Sequence, residues 1–201
     1  MLRTANVGTI WTPSTDEVLA LYSAVTGFNQ NDPSTDQGAD ELSTIEYLTN
    51  TGWQGRKLDG HANLNVKKLD QLKWTVNIFG ASRLGINLPQ SAIDQFNSNK
   101  PWDVVKGSQC AGGHDVPLVG YDAPSDTYYI VTWGKLWEVS GDFMKAKFHD
   151  GTPYLEEAHA ELAFDWVNSM GTSPSKQSLV QLLQDLTSVT KAMHTGHRHI
   201  G

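Results

Sequence analysis

The chain has a single cysteine, Cys110, so no intrachain disulfide can form and the fold must rest on packing. That suits a reducing cytoplasm, or a particle assembled there. No stretch approaches the roughly 18 consecutive apolar residues that a membrane-spanning helix needs, and residues 1–7 lack the apolar core of a secretory leader. Positive charge is scarce: 15 Lys and Arg stand against 22 Asp and Glu, for a formal net charge of −7. The absence of a basic run that would displace counterions from phosphates argues against sequence-independent nucleic-acid binding. There is no glycine-rich phosphate loop, zinc-finger spacing, His-Glu-x-x-His pattern or repeat with a period of about 20 to 50 residues. No cofactor is expected.

Hydrophobic residues make up 39% of the chain and charged residues 18%, which places it among ordered globular proteins. Its 201 residues suffice for one sizeable core or two small lobes. Ser14 and Glu17 have capping-box spacing, and Val18, Leu19, Leu21, Tyr22 and Val25 follow at helical intervals until Gly27. Residues 29–38 read as a surface loop, and Leu42, Ile45 and Leu48 as a second helix ending near Gly52. The pattern next predicts a strand over 57–64, a helix over 66–79, a strand over 81–88 and a short helix over 90–96.

The second half is richer in β-branched and aromatic residues. Strands are predicted over 114–121 and 127–133, joined by the turn cluster 122–126, then a helix over 140–148 and a strand over 154–164. A linker at 172–175 leads to a final helix, about 175–193, whose Leu179, Val180, Leu182, Leu183, Leu186 and Val189 form a wide apolar face. The expected class is α+β, with a helical lobe over about 1–100, a β lobe over 101–171 and an appended helix and tail over 172–201.

One constellation carries more. Gly112-Gly113-His114-Asp115-Val116-Pro117-Leu118-Val119-Gly120-Tyr121-Asp122, followed by Tyr128-Tyr129-Ile130-Val131-Thr132-Trp133-Gly134, resembles the C-terminal half of the papain-like cysteine peptidases. In that family a Gly-Gly-His-Ala-Val-x-x-Val-Gly-Tyr strand bears the catalytic histidine, and a Tyr-x-x-Val-(Lys)-Asn-Ser-Trp-Gly strand follows it across a hairpin. The match covers about 25 residues, and residues 26–28 and 37–42 are similar to a bacterial and phage branch of the family. The resemblance implies a papain-like fold with His114 in the place of the catalytic base.

The rest of the triad departs from the family. Alignment on Trp133-Gly134 puts Val131 where the orienting Asn belongs, and a one-residue slip puts Thr132 there. Asp115 neighbours His114, but adjacent strand residues point to opposite faces. The family's nucleophile opens a helix far upstream of the histidine, whereas Cys110 lies four residues before His114 in a glycine-rich stretch read as a loop. The resemblance therefore implies a catalytically silent domain with a structural or interaction role, in the producing cell's cytoplasm or in a phage capsid or tail. The rival reading is a cysteine peptidase or acyl transferase that uses His114 with Cys110, or with a nucleophile from another chain.

Further expectations concern surfaces. Leu179, Leu182, Leu183 and Leu186 would dock a protein partner or a second copy of the chain, and Trp53, Trp102 and Trp137 would add aromatic contact area or else pack in the core. His194, His197 and His199 have the chemistry to hold a transition metal, but with no cysteine or acidic neighbour a solvated tail is the favoured reading and no metal is expected. Neither nucleic acid nor membrane is expected as a partner.

Overall fold

The computed structural model describes residues 12–163 and residue 181. They fall into two compact units, the first holding 12–61 with 162, 163 and 181, the second 62–161. The class is α+β. No helix among the described residues is long and apolar enough to cross a membrane.

In the first unit the local signals act as written. Helix α1 (Thr15–Thr26) starts at a closed capping box: Glu17 N donates to Ser14 Oγ at 3.2 Å, and Ser14 N to Glu17 Oε2 at 2.7 Å. It ends at Gly27, whose φ of 77° opens the left-handed cap. Helix α2 (Glu41–Asn50) takes its N-cap from Asp40, which accepts from Ser43 N at 2.7 Å. At its far end the amides of Thr51 and Gly52 both bond to Tyr47 O. Between the helices, Pro33–Thr35 makes a single 3₁₀ turn within the expected loop.

The second unit is a sheet covered by helices. Its elements in chain order are the end of β1 (Leu58–Asn63), α3 (Leu69–Phe79), β2 (Ser82–Pro89), α4 (Gln90–Asn97), β3 (Cys110–Asp122), β4 (Thr127–Thr132), β5 (Lys135–Ser140), α5 (Gly141–Lys145) and most of β6 (Leu155–Ala163). The strand order is β1-β6-β2-β3-β4-β5. Pairings of β2 with β3 and β6, of β3 with β4, and of β4 with β5 are antiparallel. Alternation sets the packed face: Val116 and Leu118 of β3, Tyr128, Ile130 and Thr132 of β4, and Trp137 and Val139 of β5 all point inward. Leu72, Leu84, Phe143 and Trp102 join them to form the core. Outside the regular strands, Trp102 makes a parallel bridge to Val139, donating to Glu138 O and accepting from Ser140 N, both at 2.9 Å.

By contacts the described residues divide between 61 and 62, and one sheet holds strands from both sides of residue 100. Some expectations need correction. Strand β5 lies where no element was expected, and the helix read over 140–148 is only the five residues of α5. Of the two readings open for the tryptophans, Trp102 and Trp137 take the core one and Trp53 is half-buried; among the described residues the indoles that face solvent are Trp74 and Trp133. The predicted C-terminal helix, with Leu179, Leu182, Leu183 and Leu186, lies outside the described residues.

Candidate functional site

His114 lies on β3, opposite Ile86 of β2. It shares the parity of Val116 and Leu118, so its ring lies on the packed side of the sheet and is half-buried. Thr132, the last residue of β4, is on the packed face too, and its Oγ1 lies 2.8 Å from His114 Nε2. Of the two alignments open to the sequence, it is Thr132 that reaches the imidazole. Asp115 points the other way: Arg83 Nη1 donates to its Oδ2 at 2.5 Å and Arg83 Nε to Glu161 Oε1 at 2.6 Å, which ties the opposite face of β3, β2 and β6.

A third residue completes the site. Trp133 and Gly134 form the two-residue turn between β4 and β5, both at positive φ (44° and 75°), in the manner of a type I′ hairpin. Glycine or asparagine fits such a position at little cost, and a bulky indole is an outlier there. The conformation lays the indole over the imidazole, centroids 4.8 Å apart and planes 25° from parallel. Phe96 of α4 meets the indole edge-on at 4.6 Å, and Trp102 lies 6.2 Å from the imidazole and 5.9 Å from Trp133. The histidine is thus boxed by two indoles and tethered to one hydroxyl.

Burial pulls the His114 pKa below the usual histidine range, with the nearby Asp115 carboxylate opposing it. The unfolded chain then takes up the proton first as pH falls, so the ring's contribution is fully present above about pH 6.5 and is lost below it. We expect the parent to lose more thermal stability than His114→Gln between about pH 7.5 and 5.5. Melting curves of the two proteins that stay parallel over that range would refute this assignment.

Cys110 is not part of the site. The glycine-rich stretch is not a loop: Cys110, Gly112 and Gly113 are paired strand residues opposite Pro89, Leu88 and Asn87. Four residues of extended chain span about 13 Å, far beyond the reach of a thiol–imidazole hydrogen bond. The Cys110 sulfur is exposed and makes its hydrogen bond, at 3.8 Å, to Gly112 O.

Sequence reading missed a second ordered histidine. His159 of β6 is buried, with Nδ1 3.0 Å from Asn63 Oδ1 and Nε2 3.0 Å from Glu157 Oε2. Both ring nitrogens are engaged, which fits a structural role better than proton transfer. The alternation of Glu157 and His159 along a strand was the available signal. His194, His197 and His199 lie outside the described residues.

No protein-family model matches the chain, and no curated protein does so.

Proposed function

We propose that this chain is a papain-like domain without peptidase activity, serving as a structural or interaction protein. One observation carries the reading: an imidazole in the family's position is held by Thr132 and covered by Trp133, while the chain's only thiol stands four residues, about 13 Å, away along the same extended strand. A cysteine peptidase needs nucleophile and base within hydrogen-bond reach, about 2.6 to 3.2 Å. The motif order, the hairpin and the Trp-Gly turn support kinship with the papain-like enzymes, and the displaced thiol supports loss of their chemistry. The resemblance of residues 26–28 and 37–42 to a phage branch of the family supports placing it in a phage particle.

A thiol probe tests the proposal. With a peptide-based electrophile, Cys110 should be labelled at the same rate in the parent and in His114→Ala, and fluorogenic peptides should not be cleaved. Labelling that slows tenfold or more in His114→Ala would restore the enzyme reading. So would peptide hydrolysis that depends on His114.

A further inference from the structure

In the second unit, α3, the turn before it, α5 and the chain leading into β6 enclose a groove of about 930 Å³. That volume is typical of sites for small organic ligands. None of the histidine-site residues lines it, so a role for the groove is independent of the papain-like reading.

The groove has an unusual charge for this protein. Lys67, Lys68, Lys73, Lys145 and Lys147 border it, five of the eleven lysines in a chain whose net charge is −7. Asp70 and Asp126 offset two of them, pairing with Lys73 at 3.4 Å and Lys145 at 2.9 Å. Among the described residues, Lys67, Lys68 and Lys147 have no ion-pair partner. Lys68 is also the N-cap of the 11-residue α3, and no side chain caps that end. Gln71 N already donates to Lys68 O at 2.8 Å, so the amides left over at this positive dipole end are those of Leu69 and Asp70, both of which border the groove.

The rest of the lining is apolar. Leu69, Met144, Pro153 and Leu155 provide hydrocarbon, and Trp74, 63% exposed, stands at the rim as a large unburied indole. Tyr128 supplies a second, independent mark of a ligand site. Its side chain is buried and lines the groove, and its hydroxyl makes no close hydrogen bond, the Lys73 ammonium above the ring being the charged group that acts on it. A buried polar group left in that condition is costly and is relieved by a partner entering the groove.

We propose that this groove binds a small organic anion with an apolar body. The anionic head, a phosphate ester or a carboxylate, takes Lys67, Lys68 and the α3 amides, while the body lies along Leu69 and Met144 against Trp74. Tyr128 donates its hydroxyl proton to a ligand acceptor. The size of the groove and its apolar floor favour a small amphipathic ligand over a polymer.

Isothermal titration of the full chain with 1-naphthyl phosphate and with laurate tests this. At least one probe should bind one-to-one, more weakly as salt rises, and the tighter of the two identifies the head group. Inorganic phosphate alone should bind at least 100-fold more weakly. The double variant Lys67→Gln/Lys68→Gln should lose about tenfold or more in affinity. Trp74→Ala should lose threefold or more, and the exposure of all three positions leaves the fold intact. Tyr128→Phe should lose affinity while melting no lower than the parent. The proposal is overturned if neither probe binds at millimolar concentration, or if inorganic phosphate matches naphthyl phosphate. It is equally overturned if the lysine and tryptophan variants bind like the parent, or if a Glu-rich peptide bearing Trp outcompetes both probes, which would mark a protein-docking surface instead.

Discussion

Trp102→Ala should cost the second unit about 3 to 5 kcal/mol, at the upper end for truncation of a core side chain. The indole is fully buried, 5.5 Å from Phe143 and 5.9 Å from Trp133, and it closes one side of the histidine box. Its Nε1 has no hydrogen-bond partner, so truncation forfeits no hydrogen bond and the whole effect is packing and cavity. Typical domains hold only about 5 to 15 kcal/mol in total, so the variant should unfold at a visibly lower urea midpoint. Trp102→Phe, which keeps a ring in the cavity, should recover much of the loss. An alanine variant within about 1 kcal/mol of the parent, no more than an average substitution, would show that the indole does not organise the core.

The first unit has its own sensitive point at Gly52. With φ at 82° it is already in a region that L side chains rarely adopt, and a Cβ there would sit 2.3 Å from the backbone oxygen of Arg56. The conformation alone costs about 1 to 3 kcal/mol for a non-glycine residue, and a backbone collision cannot be relieved by turning a side chain. Gly27→Ala is the matched control, since φ there is 77° and nothing lies within 4 Å of the added carbon. Urea unfolding should therefore show Gly52→Ala clearly less stable than Gly27→Ala. Equal losses would mean that the collision is absorbed and only the dihedral matters.

The sequence was most legible where one residue type has one local use. Ser14 with Glu17, and the glycine at 27, marked both ends of α1 because caps and left-handed closures are decided within a few residues. Strands β2, β3 and β4 were visible from their apolar and β-branched runs. Strand β5 was not, because its turn places Trp133 where Asn or Gly is the usual signal, and the run 127–133 then reads as ending in an aromatic. The same strain hid Trp133 as a site residue. Burial of Trp102 was undecidable from its neighbours, since Lys100, Pro101 and Asp103 suggest a surface loop. The choice of Thr132 over Val131 as partner of His114 needed the strand register, which one residue of slip reverses.

The docking of Trp102 on β5 bears on aggregation. Strand β5 ends the sheet order, and a bare terminal strand offers its amides and carbonyls to any passing chain, the first step of cross-chain β-stacking. Here Glu138 O and Ser140 N are already spoken for by the backbone of Trp102. The neighbouring Lys135 puts a charge on the same strand. Growth of an intermolecular sheet from this end must first peel away a segment anchored by a buried indole. Whatever loosens that anchor should therefore make the protein precipitate on standing well before it unfolds.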